Sequence, residues 1–88
     1  MPALQNPFNA LILLSSNDEP GVEDSLRTIL EPFSLTIVEV QKIALRGRLI
    51  LGFLISCDPA HVHAIADDLS EFGERTGFDV AIDYSEEA

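Results

Sequence analysis

Cysteine and tyrosine occur once each, tryptophan is absent, and only five of the 88 residues are lysine or arginine. The lone Cys57 excludes an internal disulfide and any C-x-x-C metal or redox motif, and at the end of an apolar run it reads as a small buried thiol. Fifteen Asp and Glu against five basic residues leave a formal net charge of -10, a sign that repels phosphate backbones and argues against a nucleic-acid partner. No apolar run approaches the ~20 residues of a membrane span, and Met1-Pro2-Ala3 opens no basic, cleavable leader. A soluble, cytoplasmic setting without a membrane partner is therefore expected. Apolar surface is plentiful: 47% of the residues are hydrophobic, ample for one small core and too many for a disordered segment.

The apolar pattern divides the chain into a short irregular leader (1–7), one domain (8–84) and a solvated tail or start of a linker (85–88). Phe8 to Ser15 reads as a strand apolar on both faces, which suits the centre of a sheet. Val22, Leu26, Ile29, Leu30 and Phe33 follow helical spacing, and Pro32 should end that helix or distort its last turn. Leu35 to Leu45 and Arg48 to Cys57 read as strands joined by a two-residue turn at Arg46-Gly47. Asp58-Pro59 pairs an N-cap acceptor with a proline suited to the first helical position. Val62, Ile65, Ala66, Leu69, Phe72 and Thr76 line one face of the second helix, and Gly77 is placed to terminate it. Phe78, Val80, Ile82 and Tyr84 alternate with polar residues as an edge strand would.

The order β-α-β-β-α-β is the split βαβ arrangement: an α+β, ferredoxin-like sandwich of a four-stranded antiparallel sheet with two helices on one face. Right-handed crossovers put the first and third strands at its centre. Two helices cover one sheet face only. Leu11, Leu13, Leu49, Leu51 and Phe53 alternate with Ala10, Ile12, Leu14, Ile50 and Leu54, so whichever set meets the helices, the other lies open as an interface.

Between the first strand and first helix, Ser15-Ser16-Asn17-Asp18-Glu19-Pro20-Gly21-Val22 packs acids, a proline and a glycine into one connection. Read as a binding site, the helix N–H groups would favour a carboxylate, Asp18 would favour an ammonium, and Gly21 would let a ligand approach closely. A free amino acid carries both charges. Read as structure alone, Asp18 or Glu19 caps the helix with Pro20 at its first position. Gln41, on a face shared with Glu39, could bond a partner's backbone, line a pocket or simply be wet.

Catalytic patterns are missing. Asp67-Asp68 is adjacent and helical rather than spaced as a nucleophile and acid pair, and no G-x-S-x-G is present. His61 and His63 lie two apart on a helix, point to different sides and read as solvated, so no metal site is expected. The loop after the first strand also lacks the arginine an acylphosphatase-like activity would need.

Leu13-Leu14-Ser15 leading to Asp18-x-Pro20-Gly21-Val22, then Val38-Glu39-Val40-Gln41-Lys42-Ile43-Ala44-Leu45-Arg46-Gly47-Arg48-Leu49-x-Leu51-Gly52, resembles the ACT domain, in particular that at the N-terminus of bacterial phosphoserine phosphatases. The resemblance spans about Phe8 to Tyr84. It implies a regulatory module that pairs with a second copy or a neighbouring ACT domain, edge to edge or face to face, and binds a small amino acid, L-serine in that branch. Asp18, Pro20, Gly21 and Val22 would form the ligand site, with Gln41 facing the neighbouring domain. Catalysis, and the Mg that serves it, would belong to a separate haloacid-dehalogenase-type domain; no cofactor is expected here. Glu19, where neutral residues are common, and Pro32 depart from the pattern. An ACT-like scaffold that binds no ligand is the alternative.

Overall fold

The computed structural model describes residues 8–84. The leader (1–7) and tail (85–88) expected from sequence lie outside the described residues. The elements follow as β1 (Phe8–Asn17), α1 (Val22–Leu30), β2 (Leu35–Leu45), β3 (Arg48–Cys57), a 3-10 turn (Pro59–His61), α2 (Val62–Thr76) and β4 (Asp79–Tyr84). The four strands form one antiparallel sheet in the order β2-β3-β1-β4, so the two strands apolar on both sides are the central ones.

Antiparallel pairing joins even-numbered residues of β1 to odd-numbered residues of β3, as in Ile12↔Phe53 and Leu14↔Leu51. The helix-covered face therefore carries Ala10, Ile12 and Leu14 together with Leu49, Leu51, Phe53 and Ile55. This corrects the grouping expected from sequence, which had followed alternation within each strand without the register between them. From the helices, Leu26, Leu30, Ile65, Leu69 and Phe72 complete the core. Truncating a wholly buried ring such as Phe53 to alanine costs about 3–5 kcal/mol.

Local chemistry explains the element ends. Pro32 lies just past Leu30, where a ring without an N–H cannot extend the helix. Asp58 Oδ1 accepts from the Ala60 N–H at 2.9 Å, with Pro59 next in the chain, and this cap opens the 3-10 turn rather than α2 itself. Gly77, at φ 82, closes α2 as expected. The end of β1 and the placing of Thr76 differ from the sequence reading. Strand β1 runs on to Asn17, because Ser16 and Asn17 continue the ladder opposite Leu49 and Arg48. Thr76 is exposed rather than packed: its hydroxyl donates to the Phe72 carbonyl at 2.7 Å and accepts from the Phe78 N–H at 3.2 Å.

In β2 the register shifts between Ile37 and Glu39, leaving Val38 as a bulge. Before the bulge Leu35 and Ile37 turn toward the core; after it Val40 does so, opposite Phe53. Unbroken alternation from Ile37 would have aimed Glu39 and Gln41 inward, where a carboxylate without a partner is costly. The extra residue puts both on the open face instead.

Candidate functional site

The connection between β1 and α1 is held at its start by a hydrogen bond from the Asp18 N–H to the Gly47 carbonyl, 2.9 Å, at the tip of the β2–β3 hairpin. That tip is a tight turn with positive φ at both central residues, Arg46 (52) and Gly47 (77). Helix α1 begins at Val22, and its N-cap is Gly21 in the left-handed conformation, with no side chain capping it. Neither Asp18 nor Glu19 is the cap, and Pro20 lies before the N-cap rather than at the first helical position. The reason is geometric: the chain enters α1 at φ 87, a conformation that glycine alone adopts readily. A Cβ at Gly21 would meet nothing within 4 Å, so within the fold the glycine answers to the backbone turn and not to close packing of a neighbouring element.

Beside this turn lies a cleft of about 310 Å³ lined by Asp18, Glu19, Pro20, Gly21, Val22, Glu23, Asp24, Lys42 and Leu49. The N–H groups of Val22, Glu23 and Asp24 are the donors that a helix start leaves without intrahelical acceptors. Lys42 reaches the cleft from β2, its Nζ 3.9 Å from Glu23 Oε1; Glu23 also accepts from Arg27 at 3.0 Å. The cleft can therefore offer an acid for an ammonium, and helix N–H groups with one lysine for a carboxylate.

Four of the five expected site residues, Asp18, Pro20, Gly21 and Val22, come together here. Gln41 does not join them: it lies on the opposite sheet face beside Glu39, its Nε2 donating to Glu39 Oε2 at 3.1 Å. Sequence reasoning missed Lys42, although the signal was present, since a strand neighbour of Gln41 must point to the other face. Among the described residues no group of three or more His, Cys, Asp or Glu is placed to hold a metal ion. His63 is exposed and edge-on to the Tyr84 ring at 6.2 Å. His61 is half-buried instead of solvated, and its Nδ1 is enclosed without a hydrogen-bond partner.

Residues 10–83 match the family model of the ACT domain, a span that contains the whole of this cleft. The chain belongs to the ACT domain family. Among curated proteins it is 36% identical to the phosphoserine phosphatase SerB2 of Mycobacterium tuberculosis over 89 aligned residues, covering 99% of this chain and 21% of that protein. The chain thus spans about a fifth of the length of that relative. Solved structures share the fold at low identity. An ACT domain protein from Streptococcus pneumoniae superimposes with a TM-score of 0.77 at 16% identity, over 90% of this chain and 91% of that one. A formyltetrahydrofolate deformylase from Pseudomonas syringae does so with a TM-score of 0.79 at 15% identity, over 94% of this chain and 29% of that one. As an ACT domain the chain is a regulatory module. No helix among the described residues is long and apolar enough to cross a membrane.

Proposed function

We propose that this ACT domain senses a small amino acid, L-serine, and through it controls a phosphoserine phosphatase whose chemistry resides in a separate domain. One observation carries the reading: the uncapped N-terminus of α1 opens into a cleft that also holds Asp18 and Lys42. An amino acid's ammonium would meet Asp18, and its carboxylate would meet the helix N–H groups and Lys42. The likeness to a phosphoserine phosphatase supports serine, the product of that reaction, as the ligand; a cytoplasmic, paired protein is the setting that goes with this reading. Hydrolysis, and any Mg it uses, is assigned to the separate domain.

The scaffolding reading is favoured by a different observation. Asp18, Glu19, Glu23 and Asp24 face one lysine in the cleft, a balance that weakens the hold on a carboxylate. Thermal melting separates the two. A ligand that binds only the folded chain at ~100-fold excess over its Kd raises stability by roughly 2.7 kcal/mol. Millimolar serine should raise the Tm, and Asp18→Ala should remove that shift while leaving the ligand-free Tm nearly unchanged. Equal melting with and without serine, in both proteins, would favour the scaffold. Asp18→Ala is the cleaner variant, because any side chain at Gly21 strains the backbone whatever it does to a ligand.

A further inference from the structure

With fifteen acids against five basic residues, a cation without a carboxylate partner is unexpected, yet among the described residues Arg48 pairs with none. Its Nη1 donates to Asn17 Oδ1 at 3.2 Å and its Nη2 to Ser15 Oγ at 2.9 Å, both neutral acceptors on β1. These two bonds occupy one edge of the guanidinium and fix its plane. The other edge, Nε–H with the second Nη2 hydrogen, stays open, and such an edge grips a carboxylate through two parallel hydrogen bonds. The opposite charge stands across Ser15. Asp79 is the β4 residue paired with Ser15, one strand spacing of about 4.8 Å away, so both lie on the sheet face away from the helices. No ion pair joins Asp79 to Arg48.

Beside Ser15 and Asp79 the sheet surface dips into a hollow of about 320 Å³ whose walls include Leu13, Ile50 and Ala81. Leu13 and Ile50 are 44% and 38% exposed there. A cation with a free edge, an acid it does not neutralise and an aliphatic hollow thus surround one hydroxyl. A ligand complementary to all three carries a carboxylate, an ammonium and an aliphatic body. We propose that this face holds a second small-molecule site, for an amino acid with an aliphatic side chain. Its carboxylate pairs with Arg48, its ammonium with Asp79, and its side chain packs on Leu13, Ile50 and Ala81. The site shares no residue with the cleft at α1 and does not depend on the serine reading. Asp79 repels a carboxylate that brings no ammonium, and serine has no aliphatic body for the hollow. Because the hollow is open to water, leucine should bind weakly, with a Kd of about 1 mM.

Titration of the isotope-labelled 88-residue chain with L-leucine, followed through backbone amide NMR signals, tests this. Saturable shifts are expected at Leu13, Ser15, Ile50, Asp79 and Ala81. Arg48→Gln should weaken binding about tenfold and Asp79→Asn about fivefold, each variant keeping the parent's amide dispersion. The ligand arms on the parent chain need no substitution. 4-Methyl-2-oxopentanoate, which exchanges leucine's ammonium for an oxo group, should bind more weakly than leucine, and serine should leave these amides unmoved. Four results would each overturn the proposal: no saturable shift with leucine up to about 20 mM, leucine shifts confined to Gly21 to Asp24, a leucine Kd unchanged in Arg48→Gln, or an oxo acid that binds as tightly as leucine.

Discussion

Two residues show how single positions carry more than sequence pattern reveals. Arg46 sits at φ 52, in the left-handed region that costs an ordinary side chain roughly 1–2 kcal/mol. Asparagine tolerates that region and suits the first position of such a hairpin turn, so Arg46→Asn should raise stability by roughly 0.5–1 kcal/mol in urea unfolding. Cys57 is a free, buried thiol. Burial first, and the neighbouring Asp58 carboxylate second, push its ionisation above the ordinary thiol value. The unfolded chain can then release the proton at a pH where the folded chain still holds it. Its contribution is complete below about pH 8.5, the unfolded thiol's value, and is lost as pH rises from there through the folded value. A Cys57→Ala chain should lack that part of the alkaline decline, which the difference between the two urea midpoints from pH 7 to 10 would measure. The buried thiol was legible from its apolar run. The strain at Arg46 was not, because sequence gave the turn its two residues without their dihedral angles.

At the scale of elements, strand identity was legible from composition, while facing depended on register. The boundaries of β2 and β3 follow their Ile, Val and Leu content directly. Which of their residues meet the helices required the pairing with β1 and the bulge at Val38, and neither is encoded in one strand alone. The same shift separates Gln41 from the loop site and brings Lys42 to it. Deleting Val38 should remove the bulge yet keep Glu39 opposite Leu54 and Val40 opposite Phe53, since Glu39 would follow Ile37 directly. The deletion variant is expected to fold with stability within about 1 kcal/mol of the parent, as seen in its denaturation midpoint. Collapse of the cooperative transition would mean that the bulge holds the sheet together rather than merely reconciling its pattern. The start of α1 gave a comparable lesson. Asp, Pro and Gly all pointed to a helix start, but the left-handed glycine made Gly21 the cap and left the acids lining a cleft.

For the whole molecule, the order of elements and the right-handed crossover rule were enough to give the sheet topology, and the loop motif directed attention to the end of α1 where the cleft lies. The cleft's charge balance emerged only when α1 and β2 were assembled, because Glu23, Asp24 and Lys42 come from separate elements. The central claim is that this assembled cleft binds a small amino acid. The most direct measurement is a titration of the isotope-labelled chain with L-serine, followed through backbone amide NMR signals. The account predicts saturable shifts in the amides of Gly21 to Asp24 and of Lys42, with little change along α2, and their loss in Asp18→Ala. Saturable shifts confined to the open sheet face, or none with serine or any other proteinogenic amino acid, would contradict it.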